Sequence, residues 1–314
     1  MIIQLVQLVS PVFLIVGLGY ICARIKLIDD NGIDGILKFA QSIAIPIYLF
    51  LGILKLDLQV FFNLNILLSY YIGSFFCFIF GFMLSRLLFD CTKGESISIG
   101  FCIMFPNLVL LGMPITELAY GKDAINTNLS IIAVNAPFCY LIGITCMEMF
   151  GKENVNLRQT ANSIFYSIFS NPIAFSVLVG LAFNFLSFEL ITPFENMFSL
   201  MSIGALPIAL FGLGGILIRY QFSNEVGKVS MVVLLTLLVH PMISFCIGFF
   251  YTNLDVTILR SAIICAAMGP GLNAFLFANY YKDGRETVAA AVLICTPITM
   301  FTTPVWIQII EFVY

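Results

Sequence analysis

The sequence predicts an all-α membrane protein of ten transmembrane helices, arranged as two inverted five-helix repeats. Three observations carry this. First, 61% of the 314 residues are hydrophobic and only 10% are charged, with a mean hydropathy of +1.05; a soluble domain has roughly 45–50% apolar and about 25% charged residues. Second, the apolar residues fall into ten segments that each approach the ~20 residues needed to cross ~30 Å of hydrocarbon. Third, prolines in the first half of the chain return in order in the second half.

The ten spans run over 5–23, 36–54, 66–89, 96–120, 126–150, 171–190, 194–218, 229–251, 256–281 and 287–313. No basic region precedes the first span, whereas Arg24 and Lys26 follow it, so a retained first span is expected rather than a cleaved signal peptide. The stretch 151–167 is the most polar (Lys152, Glu153, Asn154, Asn156, Arg158, Gln159). It is expected to form a cytoplasmic loop with a short interfacial helix.

Lys and Arg set the orientation. Loops after the odd spans hold Arg24, Lys26, Arg86, Lys93, Lys152, Arg158, Arg219, Lys228, Lys282 and Arg285, with Lys38 at the mouth of the second span. The opposite side has Lys55, Lys122 and Arg260, a bias of 11 to 3. Both termini are therefore expected outside.

Pro11 and Gly19 recur as Pro172 and Gly180, and 45-IPIYLF-50 recurs as 206-LPIALF-211. The shifts are 172−11 = 161 and 207−46 = 161; Pro106 with Pro270 gives 164, and Pro137 with Pro297 gives 160. Four pairs in order define repeats at 1–150 and 171–314, joined by 151–170. Five spans per repeat is an odd number, so the halves must be inverted, as in secondary transporters.

The ninth span contains Gly269-Pro270-Gly271 followed by Asn273. Proline removes a backbone donor and clashes with the preceding turn. The flanking glycines let the chain leave helical geometry. A kinked helix is the plainer alternative for a lone proline; the cluster predicts a true interruption over 269–273. Its repeat partner, with Pro106, Asn107, Gly112 and Pro114, predicts a second interruption over 106–108. Freed backbone groups in lipid cost several kcal/mol unless satisfied, so such breaks survive where protein buries them or where they line a cavity. Two breaks in matching places point to a midplane site. Each half-helix N-terminus carries about half a positive charge, which favours an anion, most simply a carboxylate. Asn107 and Asn273 can donate to it, and no Lys or Arg lies near a span centre. The same asparagines can cap freed backbone groups, and both roles can coexist.

These residues resemble the auxin efflux carrier family: the span order, the Pro-Asn-Leu-x-x-x-Gly-x-Pro break, the Ile-Pro-Ile-x-Leu-Phe repeat and the late Gly-Pro-Gly-x-Asn-Ala. The short bacterial permeases are nearer than plant PIN carriers with a long loop, and a bacterial inner membrane is the implied location. The resemblance spans the whole chain. It implies crossed fourth and ninth helices, a scaffold of spans 1, 2, 6 and 7, and a transport domain of spans 3–5 and 8–10 that moves as an elevator. It implies Asn107 and Asn135 at the substrate carboxylate, with Tyr140 nearby; Gly271 belongs to the same break. The expected partners are a small mono- or dicarboxylate, such as an auxin, malonate or malate, and the lipid bilayer. A homodimer is one assembly open to it.

Glu117 is either a carboxylate within a span, functional by default, or an interfacial group beside Lys122. His240 is either a proton carrier or a neutral packing residue. Glu148 belongs to the cytoplasmic end of its span. Other classes fare worse. With one histidine and no Cys-x-x-Cys among nine cysteines, a zinc or iron–sulfur site is not expected, nor is a cofactor. Basic stripes for nucleic acid are missing, as are nucleotide-binding and intramembrane-protease motifs, so an enzyme is not expected. A cation/proton antiporter would want a midmembrane aspartate. A sodium-coupled bile-acid-type symporter and a non-transporting sensor or scaffold stay open.

Overall fold

The computed structural model describes residues 2–151, 157–220 and 225–313. These residues are helical and contain no strand. The helices longer than four residues are α1 (Ile2–Arg24), α2 (Asp30–Leu54), α3 (Leu64–Phe89), α4 (Lys93–Met104), α5 (Leu108–Tyr120), α6 (Ile125–Gly151), α7 (Leu157–Phe169), α8 (Pro172–Phe185), α9 (Thr192–Leu217), α10 (Val226–Tyr251), α11 (Val256–Ala266), α12 (Leu272–Tyr281) and α13 (Arg285–Val313). Seven of them are long and apolar enough to cross a membrane, or eight if α7 and α8, bent by 78°, count as one span. The fourth and ninth expected spans fall short of that length because each is cut in two, into α4/α5 and α11/α12. The sixth is shorter than 171–190, since α8 stops at Phe185. A helix does form within the polar stretch, as α7; Lys152, Glu153, Asn154 and Asn156 lie outside the described residues.

Helix starts follow local chemistry. Asp29, Asn63, Thr92, Asn171 and Asp255 each accept a hydrogen bond from a backbone N–H in the first turn they cap, the usual role of Asx and Thr at an N-cap. Thr92 and Glu95 stand three apart, the spacing of a capping box.

Three proline positions inside spans are met by a turn of π-helix. Ala40–Ala44, Leu108–Gly112 and Leu235–Val239 each run directly into Ile45-Pro46, Met113-Pro114 and His240-Pro241. Proline has no N–H to give and its ring crowds the carbonyl four residues back. The wider turn moves that carbonyl away, and such bulges recur at functional sites.

Two of the helix crossings at backbone contact match each other. A Cβ on Gly19 of α1 would overlap the carbonyl oxygen of Phe211 of α9, and a Cβ on Gly180 of α8 would lie 3.2 Å from the carbonyl oxygen of Phe50 of α2. The two glycines are 161 residues apart, and so are the two phenylalanines. The α1–α9 and α2–α8 crossings are thus the same contact made twice.

The outside of the bundle is apolar. Leu14, Leu87, Leu200 and Phe250 are each about 70% exposed, a surface suited to hydrocarbon and not to water. Charged groups gather at helix ends. Lys228 Nζ meets Glu95 Oε1 at 2.6 Å and Glu225 Oε1 at 2.7 Å, joining the starts of α4 and α10; Thr287 of α13 donates to Glu225 Oε2. At the opposite ends, Glu311 of α13 receives Arg260 of α11 and Tyr120 of α5.

Candidate functional site

Residues 105–107 and 267–271 are unwound, slightly earlier in the chain than 106–108 and 269–273. The helices restart early because each break ends on a capping position. Asn107 caps α5, with its Oδ1 accepting from Leu110 N at 3.3 Å. Gly271 takes the cap position of α12 in extended geometry, so Leu272 and Asn273 belong to that helix.

The two breaks cross antiparallel and pair at Pro106 and Pro270. Asn107 N donates to Gly269 O at 2.8 Å, and Gly271 N donates to Phe105 O at 3.0 Å. Gly269 N donates to Thr299 Oγ1 of α13 at 3.2 Å. Backbone groups released by one break are therefore satisfied by the other, as an apolar medium demands. The crossing is tight enough to need glycine at Gly269, where a Cβ would stand 2.8 Å from Cys295 Cβ. Gly112 and Pro114 lie in the first turns of α5, with Met268 Cγ 3.5 Å from where a Cβ on Gly112 would be.

Beside the crossing is a cavity of about 70 Å³ lined by Pro106, Asn107, Asn135, Gly271 and Asn273, and on its far wall by Gln41 of α2 and Asn171 of α8. Five side-chain amides face it and no ionisable side chain does. Asn107 is buried and its Nδ2 has no partner. A backbone N–H can only donate, so the bond from Leu110 N fixes which atom is Oδ1 and leaves the amide donor free. Asn171 repeats the pattern: its Oδ1 caps Ile173 N at 3.0 Å. In Asn107 and Asn171 the carbonyl end is engaged by a backbone N–H, and Asn107 is left with an unpartnered N–H donor. The starts of α5 and α12 also line the cavity, adding the positive ends of two helix dipoles. Donors of this kind, without a fixed charge, suit an acceptor-rich anion.

The cavity leads into a vestibule of about 570 Å³, with which it shares Gln41, Asn171 and Asn273. Tyr140 lies in this vestibule and not in the inner cavity, together with Tyr166 of α7 and Tyr280 and Tyr281 of α12. Leu111 and Ile115 of α5 and Ile263 and Ile264 of α11 are fully buried.

Glu117 and His240 line neither cavity. Glu117 is half-buried in the last turn of α5. His240 is fully buried, with Nε2 3.4 Å from Tyr70 O and its ring packed edge-on to Tyr70. Glu148 is buried near the end of α6. Among the described residues no three His, Cys, Asp or Glu side chains are placed to hold a metal.

Gln41, Asn171 and Thr299 escaped the sequence reading. Asn171 had a signal, since Asn before Pro at a helix start is a capping pattern. Gln41 had a weaker one, as a lone amide within an apolar span. Thr299 had none, because it acts on a residue 30 positions away.

Unwound segments crossed inside an apolar helical bundle, beside an amide-lined cavity, define a polytopic membrane transporter. Compared with known proteins, residues 4–307 match the family described as "Membrane transport protein", and the chain belongs to that family, which includes the auxin efflux carriers. It is 22% identical over 299 residues to the "Putative malonate transporter" of Rhizobium meliloti, covering 95% of this chain and 93% of the relative. It is 21% identical to the "Uncharacterized transporter YfdV" of Escherichia coli K12 over 310 residues, covering 95% of each. It is 22% identical to "Auxin efflux carrier component 8" of Arabidopsis thaliana over 352 aligned positions, covering 96% of this chain and 95% of the relative. These relatives are transporters, not enzymes.

Proposed function

We infer that this transporter carries a small organic carboxylate, bound between the two breaks. The observation that carries the reading is the free Nδ2 of buried Asn107, which faces the cavity where two helix N-termini end. Asn107, Asn135 and Asn273 donate to the carboxylate, with Gln41 and Asn171 closing the far wall. A mono- or dicarboxylate is the substrate class; the malonate in one relative's name and the auxin in another's are both of this class.

The chain is arranged as ten spans in two inverted repeats, with α4/α5 and α11/α12 as the broken fourth and ninth. Support comes from the matched glycine crossings 161 residues apart and from the antiparallel pairing of the two breaks. α1, α2, α8 and α9 form the scaffold, and the remaining spans move against it as an elevator. The cavity wall is shared between these groups, and the adjoining vestibule is the access to it in one state of an alternating-access cycle. With both termini outside, the vestibule faces the cytoplasm. A bacterial inner membrane and a homodimeric assembly complete the reading.

A thermal-shift screen of purified protein against mono- and dicarboxylates of roughly two to six carbons tests it, because a specific ligand stabilises the folded state by mass action. At least one carboxylate raises Tm in wild type, and the rise is lost in Asn107→Ala. If every carboxylate leaves Tm unchanged while sodium or a neutral solute shifts it, the substrate class is wrong. A C-terminal reporter active only in the cytoplasm would overturn the orientation.

A further inference from the structure

The five amides of the inner cavity fall into two groups. Asn107, Asn135 and Asn273 come from the α5, α6 and α12 side of the wall, while Gln41 and Asn171 come from α2 and α8. If the first group moves with the cargo, the second stays behind. In an inverted repeat, what one half does on one side the other half does on the opposite side. The wall that replaces Gln41 and Asn171 in the opposite-facing state therefore comes from residues one repeat away.

The repeat shift identifies them: 202−41 = 161 gives Ser202 of α9, and 171−10 = 161 gives Ser10 of α1. The local sequence agrees, since Asn171-Pro172 answers Ser10-Pro11, and Gln41 precedes Pro46 by the same five residues as Ser202 precedes Pro207. The backbones differ. Gln41 lies in the π-turn Ala40–Ala44 and Asn171 at the open start of α8. Ser10 and Ser202 lie inside α1 and α9, which run through Pro11 and Pro207 as α-helix. A hydroxyl has one hydrogen to give, and each serine spends it on its own helix. Ser10 Oγ donates to Gln7 O and Ser202 Oγ to Phe198 O, both at 2.8 Å. Counting one residue more for the π-turn makes the counterpart of Gln41 Ile203, which has no side-chain donor. The Asn171 side chain also bonds the Tyr140 hydroxyl of α6, a contact across the boundary that ends when α6 departs.

We propose that the carrier holds its carboxylate more tightly when the cavity opens to the vestibule than when it opens to the opposite face, because Gln41 and Asn171 donate only in the first state and Ser202 and Ser10 cannot take over. This asymmetry rests on the carboxylate site and the moving group inferred above. Gln41 and Asn171 set the affinity of one face alone, so cargo entering from the vestibule is captured tightly and released easily on the far side.

The test pairs equilibrium binding with sided uptake, using malonate, succinate and indole-3-acetate as probes. Asn171→Ser keeps a capping side chain and Gln41→Met keeps the length of the side chain, so both variants fold while each loses its amide. Binding of the probe that wild type binds best weakens roughly tenfold in each purified variant, the scale of one hydrogen bond to a charged group. Uptake is measured in proteoliposomes sorted by an accessible C-terminal tag. α13 starts four residues beyond Tyr281 of the vestibule and ends at Val313, so these vesicles present the face opposite the vestibule. From that face, at concentrations well below saturation, both variants take up the probe at the wild-type initial rate, because the cargo meets the amides only after crossing. Asn107→Ala, whose amide travels with the cargo, loses binding and uptake together. Wild-type binding in both scaffold variants, or a fall in their uptake that matches the loss of binding, overturns the asymmetry and leaves the carboxylate site standing. If wild type neither binds nor takes up any of the three probes, the carboxylate reading itself falls and the asymmetry falls with it.

Discussion

The molecule brings backbone against backbone by two opposite means. At the α1–α9 and α2–α8 crossings the helices stay intact and glycine lets them touch. At the α4/α5 and α11/α12 crossing the helices come apart and exchange hydrogen bonds. The first kind keeps every amide inside its own helix and presents nothing to a ligand. The second presents N–H groups, helix ends and capping amides to one small cavity. In hydrocarbon, close packing builds a frame, and only an interrupted helix builds a polar site.

The largest effect belongs to the intact crossing. A Cβ on Gly214 would overlap the carbonyl oxygen of Val16, which is backbone and cannot turn aside. Gly214→Val is expected to abolish the monodisperse folded species, seen as loss of the size-exclusion peak after extraction, since overpacking a rigid site costs ~1–3 kcal/mol or more. A normal peak would mean that the frame is looser than this geometry.

At the broken crossing, Asn107→Ala is expected to leave folding intact and weaken carboxylate binding by roughly 10- to 100-fold, from ~1.5–3 kcal/mol for a hydrogen bond to a charged group. Asn273→Ala acts in the same direction. Wild-type affinity in both would reduce these asparagines to caps. Thr299→Val separates support from binding. It strands Gly269 N in a dry site at a cost of ~1–3 kcal/mol, so Tm falls while any ligand-induced rise in Tm keeps its dependence on Asn107.

The smallest effect lies at the helix ends. The Lys228 ammonium and the Thr287 hydroxyl hold the Glu225 carboxyl below its usual range. A depressed carboxylate stabilises the fold above its unfolded pKa and loses that contribution as pH falls through its folded pKa. Acidifying from pH 7 into the low carboxylate range should therefore lower Tm slightly more in wild type than in Glu225→Gln, because a pair whose carboxylate is open to solvent is worth little. Identical acid profiles would detach this cluster from stability.

Much of this contrast was legible from residues alone. Pro106, Pro270 and their glycines announce a break because proline and glycine act on their own backbone. Gly19 and Gly180 announced, through their spacing, two crossings that share one geometry. What escaped depends on partners brought together by folding. Gln41 and Asn171 complete the cavity from helices distant in sequence. Asn273 proved to lie just inside a helix, because Gly271 takes the cap. The π-turns before Pro46, Pro114 and Pro241 follow from proline chemistry, but a sequence does not say whether a helix will widen, kink or stop.

The exchange of hydrogen bonds at the crossing sets a timetable for synthesis. Asn107 N needs Gly269 O, and 269−107 = 162 residues separate them. At ~5–20 residues per second, the first break waits about 8–32 s for its partner to leave the ribosome. During that interval its backbone must borrow water, lipid headgroups or a membrane chaperone. A nascent chain stalled after α6 should then be more open to proteolysis near Pro106 than the finished protein.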